Sequence, residues 1–540
     1  MKAKSAIEWI KDNTQLVCVM FLSFILRFVN LGYSDYQGDE IKAFYLPTLG
    51  QSFFQYIMDQ RKGPVQFVVT LLVKIFNPTY SNQFVARFPF AIAGLLAVLF
   101  FYKFVEIHFG KKIAFYSALF FSFNGFFIAF SRIVQYQSFI LVFMLASLYY
   151  LSLAVKNRKY WIKGLYIGLI CWTLALLTHY DAIFIVPFVT YLLILWFKNK
   201  DLAKSVKIKH FLISGTISAI LVLSFYIPFV LDISSDTQKY WSIRISGDDG
   251  SGRISSSKYL FTVYHPIYVV HIYVALLALG IFFIGLGLVS GLFLRLKGLP
   301  RFAKSFFTHS TQLMEGIQKE SGRIVALFAW ILIAVLFFEV FVKIPGTHIY
   351  SYIIPSFVVL AYGLVTLESL TFRVFEYGMT RILNALGITL LFAFLFAQSY
   401  FVFVDNSVEY PWEEERFLIW TFPKPSPGYQ LSMFGFPYFR DWEGISTFTK
   451  AFPQVEAYST NEKKSIARFY TPLQKSTDKA GFFIYIRNPQ SFENSIVYDK
   501  AAYWASKYEP VHTLTRNGKD LVRIYMMEPG TLEDIKSWGF

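Results

Sequence analysis

Asp39 and Glu40 stand side by side in Tyr33-Ser-Asp-Tyr-Gln-Gly-Asp-Glu-Ile-Lys42, just past the first long apolar run. Arg61-Lys62-Gly63-Pro64 follows about twenty residues later. Carboxylates are costly beside hydrocarbon, so at a membrane boundary they have a partner or a task. With Lys42, Arg61 and Lys62 close in the chain, the pair suggests a base working beside phosphate-sized positive charge at a membrane surface. The plainer reading is a solvated loop that caps the next helix, with the three cations holding anionic headgroups at about 1 kcal/mol each. Further polar residues gather at the ends of other apolar runs: Arg132, His179 with Asp181, Lys343 and His348. Arg132 is either functional or an anchor at the end of a span, and His179 and Asp181 can also pair with each other as packing.

The elements that must position these groups are membrane helices. Hydrophobic residues make up 55% of the 540 and charged residues only 16%, where soluble domains carry about 25% charged residues. Apolar runs recur over roughly the first 400 residues, which predicts a polytopic α-helical membrane protein with about eleven spans. They fall at 15–32, 85–106, 113–130, 137–155, 162–178, 182–198, 210–231, 267–294, 323–342, 348–369 and 381–404. The first is too long for the apolar core of a secretory signal and lacks a small-residue cleavage site, so it reads as a retained helix. Segment 64–77 reaches about 21 Å as a helix, short of a ~30 Å hydrocarbon core, and reads as interfacial.

That assignment places Lys2, Lys4, Lys11, Lys103, Lys111, Lys112, Lys156, Arg158, Lys159, 198–209 and 295–323 on the cytoplasmic side, as the positive-inside bias requires. The N-terminus is then inside, and 33–84, 131–137, 178–181, 232–266, 343–348 and the tail after 405 are external. Almost all the candidate chemistry shares that external side. The net charge of +16 lies largely in these loop clusters, so it is no nucleic-acid signal. Cys18 and Cys171 both fall inside predicted spans and form neither a disulfide framework nor a metal site.

Residues 405–540 differ from the rest, being more charged and without a spanning run. Helical stretches at 441–450, 463–470 and 494–508 alternate with strand-like runs at 455–459, 481–487 and 511–527, predicting a small external α/β domain. The chain thus divides into a membrane domain, 1–404, and a C-terminal domain, 405–540. The segment 405–440 is expected to pack on the membrane domain without regular structure. Loop 232–266, rich in Ser and Gly around 246–257, is expected to be a mobile lid.

Taken in order, these motifs resemble the GT-C superfamily of glycosyltransferases, in the branch of protein O-mannosyltransferase-like and aminoarabinose transferase-like enzymes. The resemblance rests on Asp39-Glu40, on Lys62-Gly63-Pro64 with Gly where the family has a first Pro, and on Ala86-Arg87-Phe88-Pro89. It rests also on Ser131-Arg132, Thr178-His179-Tyr180, and His348-Ile-Tyr350 with Pro355, so it spans most of 1–370. Two departures stand out. Gln135, Tyr136 and Gln137 occupy the place of a family Asp, and Arg61 stands where the aminoarabinose transferases have a Glu. Both weaken a metal-binding role, so no metal ligands are assigned; a divalent metal is compatible with such a family but unsupported by this sequence.

The resemblance implies a membrane glycosyltransferase in the cell (inner or plasma) membrane. It would move a sugar from a polyprenyl phosphate to an acceptor hydroxyl on a protein, lipid or glycan, at the external face. For that reaction Asp39 is the general base, worth about 10²–10⁴-fold, and Glu40 orients Lys42 or the substrate. One base with in-line displacement inverts the anomeric carbon, whereas retaining chemistry takes two carboxylates about 5–5.5 Å apart. Lys42, Arg61, Lys62, Arg132 and Lys343 are candidates for the lipid phosphate, whose leaving charge needs preorganised cations. His179, Tyr180, His348 and Tyr350 are candidates for substrate contact. Two other readings stand beside this one: a transporter of lipid-linked sugar or polysaccharide, and a non-catalytic scaffold of the same fold. A transporter would carry ionisable groups near mid-membrane, whereas here they gather at one boundary.

Overall fold

The computed structural model describes residues 6–247, 269–293, 321–374, 378–407, 415–417, 420–422, 435–476, 479, 481–490 and 501–527. Each predicted span corresponds to a helix or a bent helix pair. Among the described residues seven helices are long and apolar enough to cross a membrane, from Gln83–Phe109 to Gly378–Phe403, and one bent pair brings the figure to eight. Thr14–Phe28, Lys163–Thr178 and the described part of the helix beginning at Val270 are apolar but shorter. The chain is a multi-pass membrane protein, with a small sheet region at its C-terminal end.

The bent pair is Lys111–Phe123 with Gly125–Arg132, which meet at 59°. Asn124 makes the break: its side chain accepts from Phe126 N at 3.1 Å and caps the second helix. That bend carries Arg132, Gln135 and Tyr136 to the end of the bundle where the first loop lies. Elsewhere the bundle relies on close approach. A Cβ on Gly280 would collide with the Val359 carbonyl, and one on Gly363 would press on the Gly280 backbone. Small residues let these two helices pack backbone to backbone, the device membrane helices use where lipid gives no hydrophobic drive.

Segment 64–77 forms the helix Val65–Phe76, twelve residues and about 18 Å long. Gln66 and Thr70 face inward and donate to the Ala43 carbonyl, each at 3.3 Å, while Leu72, Ile75 and Phe76 are exposed. A buried face bonded to the first loop and an apolar exposed face suit a short helix lying at the membrane boundary.

The C-terminal region holds a hairpin, β1 (Glu415–Phe417) against β2 (Trp420–Phe422). The expectation of no regular structure there fails because aromatic and β-branched residues crowd this stretch, and such residues favour strands. The main sheet is five-stranded, in the order β4 (Gln474–Lys475), β3 (Ala457–Thr460), β5 (Gly481–Ile486), β7 (Lys519–Met527), β6 (His512–Arg516). β3 runs parallel to β4 and β5, while β7 is antiparallel to β5 and β6. The run 511–527, expected as one strand-like stretch, is two strands. Asn517 and Gly518 both adopt positive φ, 51° and 74°, which makes the tight hairpin turn that Asn-Gly favours. Helices Trp442–Lys450 and Lys464–Tyr470 are present. Of the expected helix 494–508, residues 494–500 lie outside the described residues.

Candidate active site

The first loop is pinned between the bundle and the C-terminal region. Asp35 N donates to the Tyr438 carbonyl at 2.9 Å, and Arg440 N donates to Asp35 Oδ2 at 2.5 Å. Tyr36 N donates to the Tyr470 hydroxyl at 2.9 Å, and Gly38 lies against Ser465. Burial of Asp35 pushes its carboxyl up to about 7, against the opposing pull of Arg440. On this support the four-residue helix Gly38–Ile41 carries the acidic pair, closed by a Gln37–Glu40 capping box.

One turn of helix sends the two carboxylates to different places. Glu40 is fully buried and takes two bonds from Arg87, Nε to Oε1 and Nη2 to Oε2, each 2.8 Å. It also accepts from Val134 N at 3.0 Å and Gln37 N at 2.9 Å. The expected link from Glu40 to Lys42 is therefore absent: Glu40 points inward to Arg87, and Lys42 meets Asp39 instead at 3.4 Å. Every Glu40 lone pair that such geometry offers is in use, which suits support rather than proton transfer.

Asp39 faces outward, its side chain 78% exposed. Partial enclosure by the surrounding protein opposes ionisation, but the charges of Lys62, Lys42 and Lys463 prevail and hold its carboxyl below the usual carboxylate range. Lys62 is the best-fixed of these cations. Its Nζ donates to Gln135 Oε1 at 2.9 Å and sits 5.0 Å from the centre of the Tyr136 ring. Gln135 in turn donates from Nε2 to the Asp39 carbonyl at 2.6 Å. Burial lowers Lys62 to about 8, Asp39 working against that shift. Gln135, a departure from the family pattern, is thus the link between the acidic loop and the basic one.

Gly63, which stands where the family has a first Pro, has a structural reason. Its N–H donates to the Thr178 carbonyl at 3.2 Å, and a Cβ at this position would run into the Leu177 carbonyl. A proline would both lack the donor and collide, so glycine is what lets the Lys62 loop lie on the end of helix Lys163–Thr178.

That same helix end leads into His179. Its ring is stacked on Tyr136 at 4.3 Å and lies 3.9 Å from Tyr180. His179 Nδ1 is 3.2 Å from Asp181 Oδ1, while His348 Nδ1 is 2.6 Å from Asp181 Oδ2. The Tyr350 hydroxyl donates to that second oxygen at 2.8 Å. The ligand-type atoms of His179, Asp181 and His348 all lie within 4.8 Å of one another. Among the described residues, this group is placed so that it can hold a metal ion. Sequence reasoning noted His179 beside Asp181 but had no signal joining them to His348, far along the chain.

The remaining candidates divide. Arg61 lies over the Tyr240 ring at 4.3 Å, and Arg244 lies over the same ring at 5.4 Å. Both aromatic and basic partners come from helix Ser235–Ser246, inside the segment expected as a mobile lid; the rest of that segment, 248–266, lies outside the described residues. Lys343 is exposed, and its backbone N–H donates to the Arg244 carbonyl at 3.1 Å. Arg132 is not in the cluster. It is buried and donates to the Leu26 and Val29 carbonyls at 3.1 and 2.8 Å, so it caps the end of the first long helix. Residues with no role assigned from sequence but placed here are Arg87, Tyr136, Tyr240, Arg244 and Lys463. For Arg87 a signal existed: a lone charge inside an apolar span calls for a partner.

One end of the bundle thus gathers an exposed carboxylate, lysines and a histidine cluster beside the small sheet region. The sequence model of the family described as dolichyl-phosphate-mannose-protein mannosyltransferase matches residues 62–227. That stretch contains Lys62, Gly63, Arg87, Gln135, His179 and Asp181, and over it the match agrees with the glycosyltransferase resemblance read from the sequence. Similar solved structures include ArnT from Cupriavidus metallidurans bound to undecaprenyl phosphate, at 12% identity and TM-score 0.47, over 96% of this chain and 98% of that one. Another is the archaeal oligosaccharyltransferase AglB from Archaeoglobus fulgidus with an inhibitory peptide and a dolichol-phosphate, at 12% identity and TM-score 0.48, over 97% and 75%. The S. cerevisiae protein O-mannosyltransferase Pmt1-Pmt2 complex bound to the sugar donor is similar over 47% of this chain and 36% of that one, at 16% identity and TM-score 0.31. No curated protein matches the chain.

Proposed function

We propose that this protein transfers a sugar from a polyprenyl-phosphate carrier to an acceptor hydroxyl, at the face of the membrane opposite the N-terminus. One observation carries the reading: Asp39 is exposed and held ionised, beside Lys62 and Lys42, while its neighbour Glu40 is locked to Arg87. An accessible carboxylate takes the acceptor proton as the hydroxyl attacks the anomeric carbon. Lys62 and Lys42 supply positive charge for the leaving phosphate, and stabilisation of developing charge is commonly the largest catalytic contribution. With Asp39 as the base and Glu40 unable to act as a nucleophile, the displacement is direct and inverts the anomeric centre.

The C-terminal region supplies Lys463 to the charge field around Asp39 and braces the loop through Arg440 and Tyr438, so it covers the site and shapes acceptor choice. The experiment incubates the purified protein with a panel of polyprenyl-phosphate sugars and membrane-fraction acceptors. New glycosylated product with release of the polyprenyl phosphate is expected. Movement of intact lipid-linked sugar across a vesicle membrane, with no transfer from any donor, would replace this reading with a transporter.

A further inference from the structure

We infer that His179, Asp181 and His348 form a binding site for one divalent transition-metal ion of the zinc class. The two imidazoles enter from different parts of the chain and aim the same nitrogen, Nδ1, at the two oxygens of one carboxylate. Two imidazoles and a carboxylate are the donor set that suits zinc and its first-row neighbours, not magnesium or calcium, which take oxygen ligands.

The spacing fits. Bonds of ~2.0–2.1 Å in a tetrahedron put ligand atoms roughly 3.3 Å apart, and His179 Nδ1 is already 3.2 Å from Asp181 Oδ1. His348 Nδ1 stands 2.6 Å from the other oxygen, Oδ2, so binding one ion through Oδ1 needs the His348 ring to turn towards it. Its side chain is 21% exposed, so a small rotation suffices. His179 cannot rotate freely, because Tyr136 and Tyr180 hold its ring. Asp181 N–H points at His179 Nδ1, 3.3 Å away. That nitrogen therefore carries a lone pair rather than a proton, the form in which an imidazole ligates a metal ion. The Tyr350 hydroxyl bonded to Asp181 Oδ2 is the outer partner that orients a ligating carboxylate.

The local geometry supports the arrangement. His348 stands on the 3-10 turn Gly346–Ile349, after a turn in which Gly346 has φ of +57° and lies against Arg244. A π-helical turn, Phe337–Phe341, precedes it, and such turns recur at functional sites. Three protein ligands leave a fourth position for water or a substrate oxygen, as in sites where zinc is not purely structural.

The test uses the full-length protein in detergent, stripped with a chelator, loaded with zinc chloride and passed through gel filtration. One retained zinc per chain and a zinc-dependent rise in melting temperature are expected. Both should be lost in His348→Ala, whose metal-free melting temperature should stay near that of the wild type, and in Asp181→Asn. Cobalt(II) loading of the wild type is expected to give the intense visible absorption of a tetrahedral site, a readout that needs no variant to fold. Folded wild type that retains no zinc, zinc retained equally by both variants, or the weak absorption of an octahedral cobalt ion would each overturn the site.

Discussion

Glu40 and Arg87 form a buried, doubly bonded ion pair, and their union turns the adjacent Asp39 outward. Arg87 lies on a membrane helix and also donates to the Leu31, Ser34 and Asp35 carbonyls. It therefore gathers the whole first loop around one guanidinium. Breaking a buried pair by removing one charge costs about 3–5 kcal/mol, because the other is left uncompensated. Glu40→Gln should accordingly lower the melting temperature of the purified protein sharply, whereas Asp39→Asn should leave it nearly unchanged. Equal effects of the two substitutions on melting would contradict the division of roles.

Gly63→Ala tests the approach of the basic loop to helix Lys163–Thr178. The added methyl meets the Leu177 carbonyl, so the loop must lift and carry Lys62 away from Gln135. A displacement of about 1 Å in a positioning element can cost on the order of 10²-fold in rate. Transfer should fall by about that much, with the melting temperature changed far less. A fully active Gly63→Ala protein would show that the placement of Lys62 is unimportant.

The pH dependence of transfer follows from the two groups facing the substrate. A lysine carries its charge below its pKa, so Lys62, lowered to about 8 by burial, loses charge as pH rises through that value. Asp39, held below the usual carboxylate range, stays ionised throughout neutral pH. Transfer should therefore decline on the alkaline side near pH 8. Lys62→Arg should move that decline upward, since a guanidinium stays protonated. An alkaline limb that does not move in the Arg variant would assign it to another group.

Asp35 makes a prediction about stability. Its folded carboxyl titrates at about 7 and its unfolded one at about 4, so the folded state binds the proton more tightly. The stabilisation is complete below about pH 4 and is lost as pH rises towards and past 7. Asp35→Asn keeps an acceptor for Arg440 N without a buried charge. Its melting temperature should equal or exceed the wild type's at pH 8, and should vary less between pH 5 and 8. A lower melting temperature at pH 8 would mean that the carboxylate charge itself holds the loop to Arg440.

The helical segments were legible because each is a long apolar run, and the run alone reports a membrane helix. Asp39, Lys62, His179 and His348 stood out for the same reason, as polar residues at the edges of such runs. What joins them was not legible. Arg87 reaches Glu40 across two helices, and His348 reaches Asp181 from a turn late in the chain. No local pattern encodes contacts at that separation. The helix Ser235–Ser246 was hidden because its flanking Ser and Gly residues suggested a loop, although Tyr240 and Arg244 follow at helical spacing. Gln135 looked like a lost ligand, and only its bonds to Lys62 and to the Asp39 carbonyl show a positive role.

The central claim is that Asp39 removes the acceptor proton. With a donor from the panel that supports transfer, turnover by Asp39→Asn should be compared with the wild type under saturating donor, alongside direct measurement of donor binding. The account predicts turnover reduced about 10²–10⁴-fold, the range for a lost general base, with donor binding changed little. Unaltered turnover in the Asn variant would contradict it.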